Sequence, residues 1–468
     1  MLKNHFPVLF FIVCSLSACG SGGGGKNSVS TPTNNEVLTP PVLPPKVVSV
    51  EAMATNTFSF AALLNDGSVV TWGEPKWGGD SSSVRNKLKG VQKIYASKGA
   101  FAALKDDGSL VVWGNPTSGG DATNIQEDLY NIVEVFPRYG GFSALRKDSV
   151  LINWGSPVYP AEKAPKMENV SNVISSVEST FISVIFKDRS VVVLDPIATE
   201  GKYRTYESYP SLSSDLVKGV ANEMALFAGV LSSGEVVSWG DAGRTTNFQA
   251  EKAKGTKNIY PAGWGFLATF LDKTTYYWGL DPGEENGTPP PLGLNNVTEL
   301  HSVKGEAIAL LENGSVASWG YHGDRNFSGS DWEIYNDFPK TLTNIEHIYA
   351  GPRPSGSGAT FAAVDKFSNA YSWGASTSPP KQPVTNVDRL ILSDGGIAAI
   401  KFDGSVEYWG RVYVEIDTKT LKPIIDPLLV NVKQIYATNY AFAAIRKDGS
   451  VVTWGDYVPD GVIDLSKL

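Results

Sequence analysis

From about residue 47 onward, hydrophobic positions come in short bursts, not in helical stripes. One burst is apolar at its start and end and polar between, as in Val91-Gln-Lys-Ile94-Tyr95-Ala96 and Val432-Lys-Gln-Ile435-Tyr436-Ala437. A second is of the type Phe101-Ala-Ala-Leu104 and starts again at Phe60, Phe361 and Phe442. A third is Ser109-Leu-Val-Val-Trp113-Gly114. Runs of this length, rich in β-branched and aromatic residues and bounded by turn formers, predict strands. Between the second and third bursts stand Asp66-Gly67, Asp107-Gly108, Asn313-Gly314, Asp403-Gly404 and Asp448-Gly449. Such dipeptides tolerate positive φ, so these two bursts are expected to form an antiparallel hairpin closed by a type I′ turn.

The three bursts recur as one unit. Trp-Gly falls at Trp72, Trp113, Trp154, Trp239, Trp278, Trp319, Trp373, Trp409 and Trp454, and a worn copy ends at Leu194-Asp195. The steps between copies are 41, 41, 40, 45, 39, 41, 54, 36 and 45 residues. The position twelve before the Trp is Phe in seven copies, and two residues later the side chain is small except at Val184. Alternating large and small side chains are what closely packed radial sheets require. One such unit cannot bury its own apolar faces, so neighbours must cover them. The pattern predicts an all-β propeller of about ten short repeats over residues 47–468. A single large ring is favoured, with two packed rings or an open superhelical arc as alternatives.

The phrase Phe101-Ala-Ala-Leu-Lys-Asp-Asp-Gly-Ser-Leu-Val-Val-Trp-Gly114 resembles the regulator-of-chromosome-condensation (RCC-type) propeller repeat in its bacterial form. The resemblance extends over residues 47–468 and implies a propeller. That family includes nucleotide-exchange factors for a small GTPase, secreted β-lactamase inhibitors and photoreceptors, so it implies a fold more than a function. The repeats here are shorter and more numerous than in the eukaryotic pattern, and no exchange-factor residue can be carried over.

Charge and composition narrow the classes. There are 40 basic and 48 acidic side chains, a net charge of -8, four His and two Cys. The acidic balance argues against a general nucleic-acid binder. So few Cys and His argue against a disulfide framework and most Cys/His metal sites, and no cofactor is expected.

The N-terminus gives an address. Residues 1–18 read as an export signal, with Lys3 as the positive end and an apolar stretch of 11 residues, Phe6 to Leu16. That stretch is too short to span a bilayer. It runs into Leu16-Ser17-Ala18-Cys19, which resembles the bacterial lipobox, in which the Cys is acylated and becomes the new N-terminus. Cys19 is therefore the expected lipidation site, and two or more acyl chains anchor stably. Gly20, where such lipoproteins carry Asp for inner-membrane retention, points to the outer membrane. Residues 19–46 are Gly/Ser/Asn-rich and then Pro-rich, a tether that is flexible and then stiffer.

Catalytic motifs are missing: there is no Gly-x-Ser-x-Gly and no His-Glu-x-x-His. His301 and His347 fall in equivalent first bursts, and His322 in a loop. An enzyme is not expected. Variation carries more information, because insertions in a repeat fold map to loops, often on the binding face. The longest follows Trp319 and carries Tyr321, Arg325, Phe327, Trp332 and Tyr335. Another follows the worn copy and carries Tyr203, Tyr206 and Tyr209. These residue types dominate interface energetics. The competing reading is that they fold back over exposed blade edges. The sequence thus suggests an outer-membrane lipoprotein, held to the membrane through Cys19, whose propeller binds a protein. A glycan-binding, lectin-like propeller is the alternative.

Overall fold

A computed structural model describes residues 49–465, except 156–165, 177–178, 180, 196–203, 210–211, 223–225, 241–246, 280–286, 289, 304, 322–341, 352–358, 375–382, 395 and 413–424. The signal segment 1–18, Cys19 and the tether 19–46 lie outside the described residues.

Each repeat folds as an antiparallel sheet whose first three strands follow chain order, and ten such blades are described. Blade 2 shows the pattern, with an inner strand Val91–Ala96, a middle strand Ala100–Lys105 and an outer strand Leu110–Gly114. The worn copy is a complete blade 4, Val170–Ser175, Ile182–Phe186 and Val191–Asp195. Inner strands of successive blades touch all the way round, and the inner strand of blade 10, Val432–Ala437, touches that of blade 1, Val50–Thr55. The seam is filled by Phe60, Ala62 and Trp72 of blade 1 against Ala441, Ala443 and Ile445 of blade 10. The blades therefore close into a single ring.

Strand alternation sends the two faces of a blade to two different neighbours. In blade 2, Phe101, Ala103, Val111 and Trp113 pack on Ala61, Leu63 and Val69 of blade 1. The opposite face, Ala102, Leu104 and Leu110, packs on Phe142, Ala144 and Trp154 of blade 3. The alanines are fully buried, which brings the sheets close around the large rings. Phe and Trp sit opposite each other across the hairpin, and Phe101 stacks on Trp113 with centroids 5.4 Å apart. The indole N–H then reaches back to the preceding blade. Trp113 Nε1 donates to the Gly78 carbonyl and Trp154 Nε1 to that of Gly119, both at 3.0 Å. Trp278 and Trp409 donate instead to the hydroxyls of Ser238 and Ser372. The Gly-Gly-Asp loops at 78–80 and 119–121 thus serve as indole acceptors.

The hairpin turn differs from the type I′ turn expected. Gly67 N–H donates to Leu64 O and Leu64 N–H to Ser68 O, both at 2.9 Å, closing a loop of three residues. Gly67 has φ +78°, whereas Asp66 is absent from the positive-φ residues. A three-residue loop calls for a type I arc ending in a left-handed residue, and here that residue is Gly67. Asp66 Oδ1 fixes the arc by accepting from Ser68 N–H and Oγ–H, at 2.9 and 2.6 Å. The same arrangement recurs at Asp107, Asp188, Asn313, Asp403 and Asp448.

Two further regularities position the inner strands. Asn131, Asn169, Asn296, Asn344, Asn386 and Asn431 are left-handed and stand just before an inner strand. The Asn131 carbonyl accepts from Lys147 in its own hairpin, while Ile132 N–H donates to Gly108 O of the preceding blade, both at 2.9 Å. Every inner strand also bulges at its second residue, for example between Val91 and Lys93. Bulges increase local twist and re-aim side chains.

Candidate functional site

The loops joining inner to middle strands gather on one face of the ring. In blades 1, 2 and 10 a small polar residue stiffens the loop. Asn56 Oδ1 accepts from Phe58 N–H and Ser59 N–H at 3.0 and 2.9 Å, and its Nδ2 donates to Trp77 O at 2.6 Å. Ser97 Oγ donates to Ser118 O at 2.7 Å, and Thr438 Oγ1 accepts from Ala441 N–H at 2.9 Å. Backbone bonds then join loop to loop across four blades. Asp394 N–H donates to Asn439 O, Asn439 N–H to Thr57 O, and Thr57 N–H to Lys98 O, at 2.8, 3.2 and 3.2 Å.

On this rigid rim sits an aromatic cluster at the seam of blades 10 and 1. Phe58 stacks on Tyr440 at 5.2 Å, meets Tyr457 edge-on at 5.0 Å and lies 4.8 Å from Trp77. Such pairs contribute about 0.5–1.5 kcal/mol each beyond area burial. Phe58, Trp77 and Tyr440 are half-buried, and Tyr457 is 52% exposed. Trp77 can lie over blade 2 because Gly99 has no side chain: a Cβ there would come within 2.3 Å of the indole. To one side, Lys98 Nζ bonds the Tyr139 hydroxyl and lies 4.2 Å from that ring's centroid. To the other, burial raises the Asp456 carboxyl above its ordinary pKa, opposed by Arg411. Burial also raises the Tyr440 phenol. The rim thus offers an apolar centre with polar groups around it, the anatomy of a protein-binding patch.

The ring axis is different in kind. Charged side chains of the inner strands pair locally. Lys93 Nζ meets Glu134 at 3.2 Å, Tyr95 donates to the same carboxylate at 3.0 Å, and His301 bonds Glu299 at 2.7 Å. Both signs are present on the inner strands and largely neutralise each other, which gives no focused field for one ligand.

Those residues singled out from sequence that are described lie elsewhere. Tyr206 and Tyr209 belong to Arg204–Tyr209, a fourth strand on blade 4, opposite Val193 and Val191. Tyr321 ends the outer strand of blade 7, opposite Gly287. Tyr203, Arg325, Phe327, Trp332 and Tyr335 lie outside the described residues, as does His322. The rim cluster was missed, although a signal exists. Two residues before the buried Phe position stand Gly99, Gly140, Gly305, Ala359 and Gly395, but Phe58, Trp264 and Tyr440 in blades 1, 6 and 10.

No protein-family model matches the chain, and no curated protein does. Among solved structures it is similar to Prp20p from Saccharomyces cerevisiae, described with its binding to Gsp1p and histones, at 12% identity over 72% of this chain and 87% of that one, with TM-score 0.34. It is similar to human WBSCR16 at 14% identity over 63% and 80%, with TM-score 0.29. The computationally designed Ika8 gives 11% identity over 87% and 96%, with TM-score 0.30. These scores are low, and the fold rests on the blades themselves: the chain is an all-β propeller of ten blades closed into one ring.

Proposed function

We propose that this chain is a non-catalytic, protein-binding propeller held at the bacterial outer membrane through a lipidated Cys19. The observation that carries the binding role is the seam cluster of Phe58, Trp77, Tyr440 and Tyr457 on a hydrogen-bonded rim. Aromatic side chains clustered within a polar surround are where binding energy concentrates. The Cys19 anchor rests on Leu16-Ser17-Ala18-Cys19, and the segment 19–46 would let the ring stand off the membrane.

The test uses a photo-crosslinking amino acid placed at Tyr457 in intact cells, with the exposed Val462 as control. Val462 lies in the added outer strand Gly461–Ile463. One protein crosslinked from position 457 and not from 462 supports the reading, and Phe58→Ala should reduce it at least tenfold. Crosslinking that is equal at both positions, or that free oligosaccharide abolishes, overturns it in favour of a bystander or a glycan ligand. In the same cells Cys19→Ser should move the protein from the membrane to the soluble fraction.

A further inference from the structure

The blades do not finish their outer edges alike. Blade 10 takes the strand Gly461–Ile463, with Ile463 opposite Val451 and Gly461 opposite Thr453. Blade 4 takes Arg204–Tyr209, with Tyr209 opposite Val191 and Tyr206 opposite Val193. In blades 3 and 8 single bridges form at the same place, Leu151 with Met167 and Ala370 with Val384. In all four, the residue three before the Trp position, or its Leu194 equivalent, receives an antiparallel segment.

On blade 2 those positions are Leu110 and Val112, and no fourth strand is described there. Lys105 N–H donates to Ser109 O at 3.0 Å, so by antiparallel alternation Leu110 and Val112 turn their backbone groups away from the middle strand. Among the described residues Leu110 O receives only a long side-chain bond, 3.4 Å, from Gln126. Instead of a strand there is a groove of about 390 Å³, lined by Leu110, Val112, Val84, Lys87, Lys89 and Lys105 among others. No carboxylate among the described residues lines it. Lys105 pairs with Asp107 at 3.3 Å, while Lys87 and Lys89 are exposed and make no ion pair among the described residues.

We infer that the outer edge of blade 2 is a strand-addition site for an extended peptide whose C-terminal end is acidic. The chain's own segments fix the direction. Ile463, the C-terminal end of its added strand, stands opposite Val451, the counterpart of Leu110. An incoming strand in that register brings its C-terminal end to the Leu110 end of the groove, beside Ser109 and Lys105. Backbone bonds to Leu110 and Val112 would supply affinity, and the lysines would select the acidic end. This site is separate from the rim and stands or falls without it.

The experiment uses the full chain and a fluorescein-labelled peptide, Thr-Val-Thr-Val-Asp-Glu-Glu, with a control ending in Lys-Lys-Lys. Anisotropy should show the acidic peptide binding at least tenfold tighter than the control. Hydrogen exchange should slow at Val112. Lys87→Glu with Lys89→Glu should reverse the preference. Val112→Pro, which removes an outward donor at an edge where Pro is tolerated, should abolish binding while leaving the circular dichroism spectrum unchanged. If Val112→Pro unfolds the chain, the double charge reversal at the two exposed lysines still decides. Equal affinity for both peptides, no binding at millimolar concentration, or protection at Val112 that follows self-association without peptide would each overturn the proposal.

Discussion

Trp72 and Trp113 occupy the same place in blades 1 and 2, yet their indoles end differently. Both are 3–4% exposed, and both stack on the Phe opposite at 5.4 Å. Trp113 Nε1 donates to Gly78 O, whereas Trp72 Nε1 is buried with no acceptor among the described residues. Trp72 faces blade 10, where the counterpart of Ser238 is Thr453, whose hydroxyl is already donated to Pro459 O at 2.6 Å. Trp→Phe removes the same atoms at both sites, so the packing loss is shared and cancels in the difference. At Trp113 it strands a buried carbonyl, which costs about 1–3 kcal/mol. At Trp72 it removes an unpaired buried donor and regains part of a similar sum. Trp113→Phe should therefore destabilise more than Trp72→Phe by about 2 kcal/mol, near 30-fold in an equilibrium constant. Stacked repeats need not unfold in one step, so the assay is native-state hydrogen exchange on the blade 1–2 and blade 10–1 amides. Circular dichroism in guanidinium provides the global check. Equal losses at the two sites, within about 0.5 kcal/mol, would refute the acceptor argument.

Ser149 holds a left-handed turn place with φ +70° that Gly fills in other blades, so Ser149→Gly should stabilise by about 1 kcal/mol in urea titration. Gly108→Ser should do the opposite, because its Cβ would also press on Asn131 at 3.1 Å. Bonds from the Ser109 hydroxyl and N–H hold the Asp107 carboxyl down to about 2, and similar Ser bonds lower Asp188, Asp403 and Asp448. A folded pKa below the unfolded value of about 3.9 gives stability that is present above about pH 4 and lost as pH falls through about 2. Denaturation midpoints should fall across that window, and less steeply in Asp107→Asn; a flat profile from pH 4 to 2 would remove the turn carboxylates from acid stability.

The architecture was readable because repetition multiplies a weak signal. A single Phe-x-Ala hairpin is ambiguous, but its recurrence also carried the worn fourth copy into the count, where Val184 and Leu194 keep the buried pattern without Trp. The turn type was not readable, since Asp-Gly suits both a two-residue and a three-residue loop. The choice depends on the Leu64–Ser68 closing bond. Closure was not readable either. Phe60 against Ala441 and Ala443 is the same kind of contact as Phe101 against Ala61, so an arc and a ring use one alphabet. The binding residues sought in insertions led to Tyr206 and Tyr209, whose backbones extend a blade. Long insertions can complete edges as well as bind.

In a ring whose interfaces repeat, stability explains what the blades share, and function must be sought where one blade departs from the rest. Three departures have physical reasons that differ. Orphaned indole donors at Trp319 and Trp454 follow from Tyr277 and Tyr408, which stand where blades 5 and 8 have the acceptors Ser238 and Ser372. That is a local defect in packing chemistry, and it faces no solvent. The aromatic rim at Phe58 and Tyr440 is another matter. Small residues suffice at that position in most blades, so large rings there are not required for a blade to form. They do strengthen one interface, the joint between first and last blades, which no chain connection holds. But a purely internal weld would be covered, and Tyr457 leaves half its surface in water. The open outer edge of blade 2 is the third: blades 4, 7 and 10 cover theirs with a fourth strand and blades 3 and 8 with single bridges, whereas among the three-stranded blades that of blade 2 lies beside a lysine-lined groove. Exposed edges are liabilities that folds cover, twist or charge. Lys87 and Lys89 supply charge, but of one sign only, which repels another basic edge and admits an acidic strand.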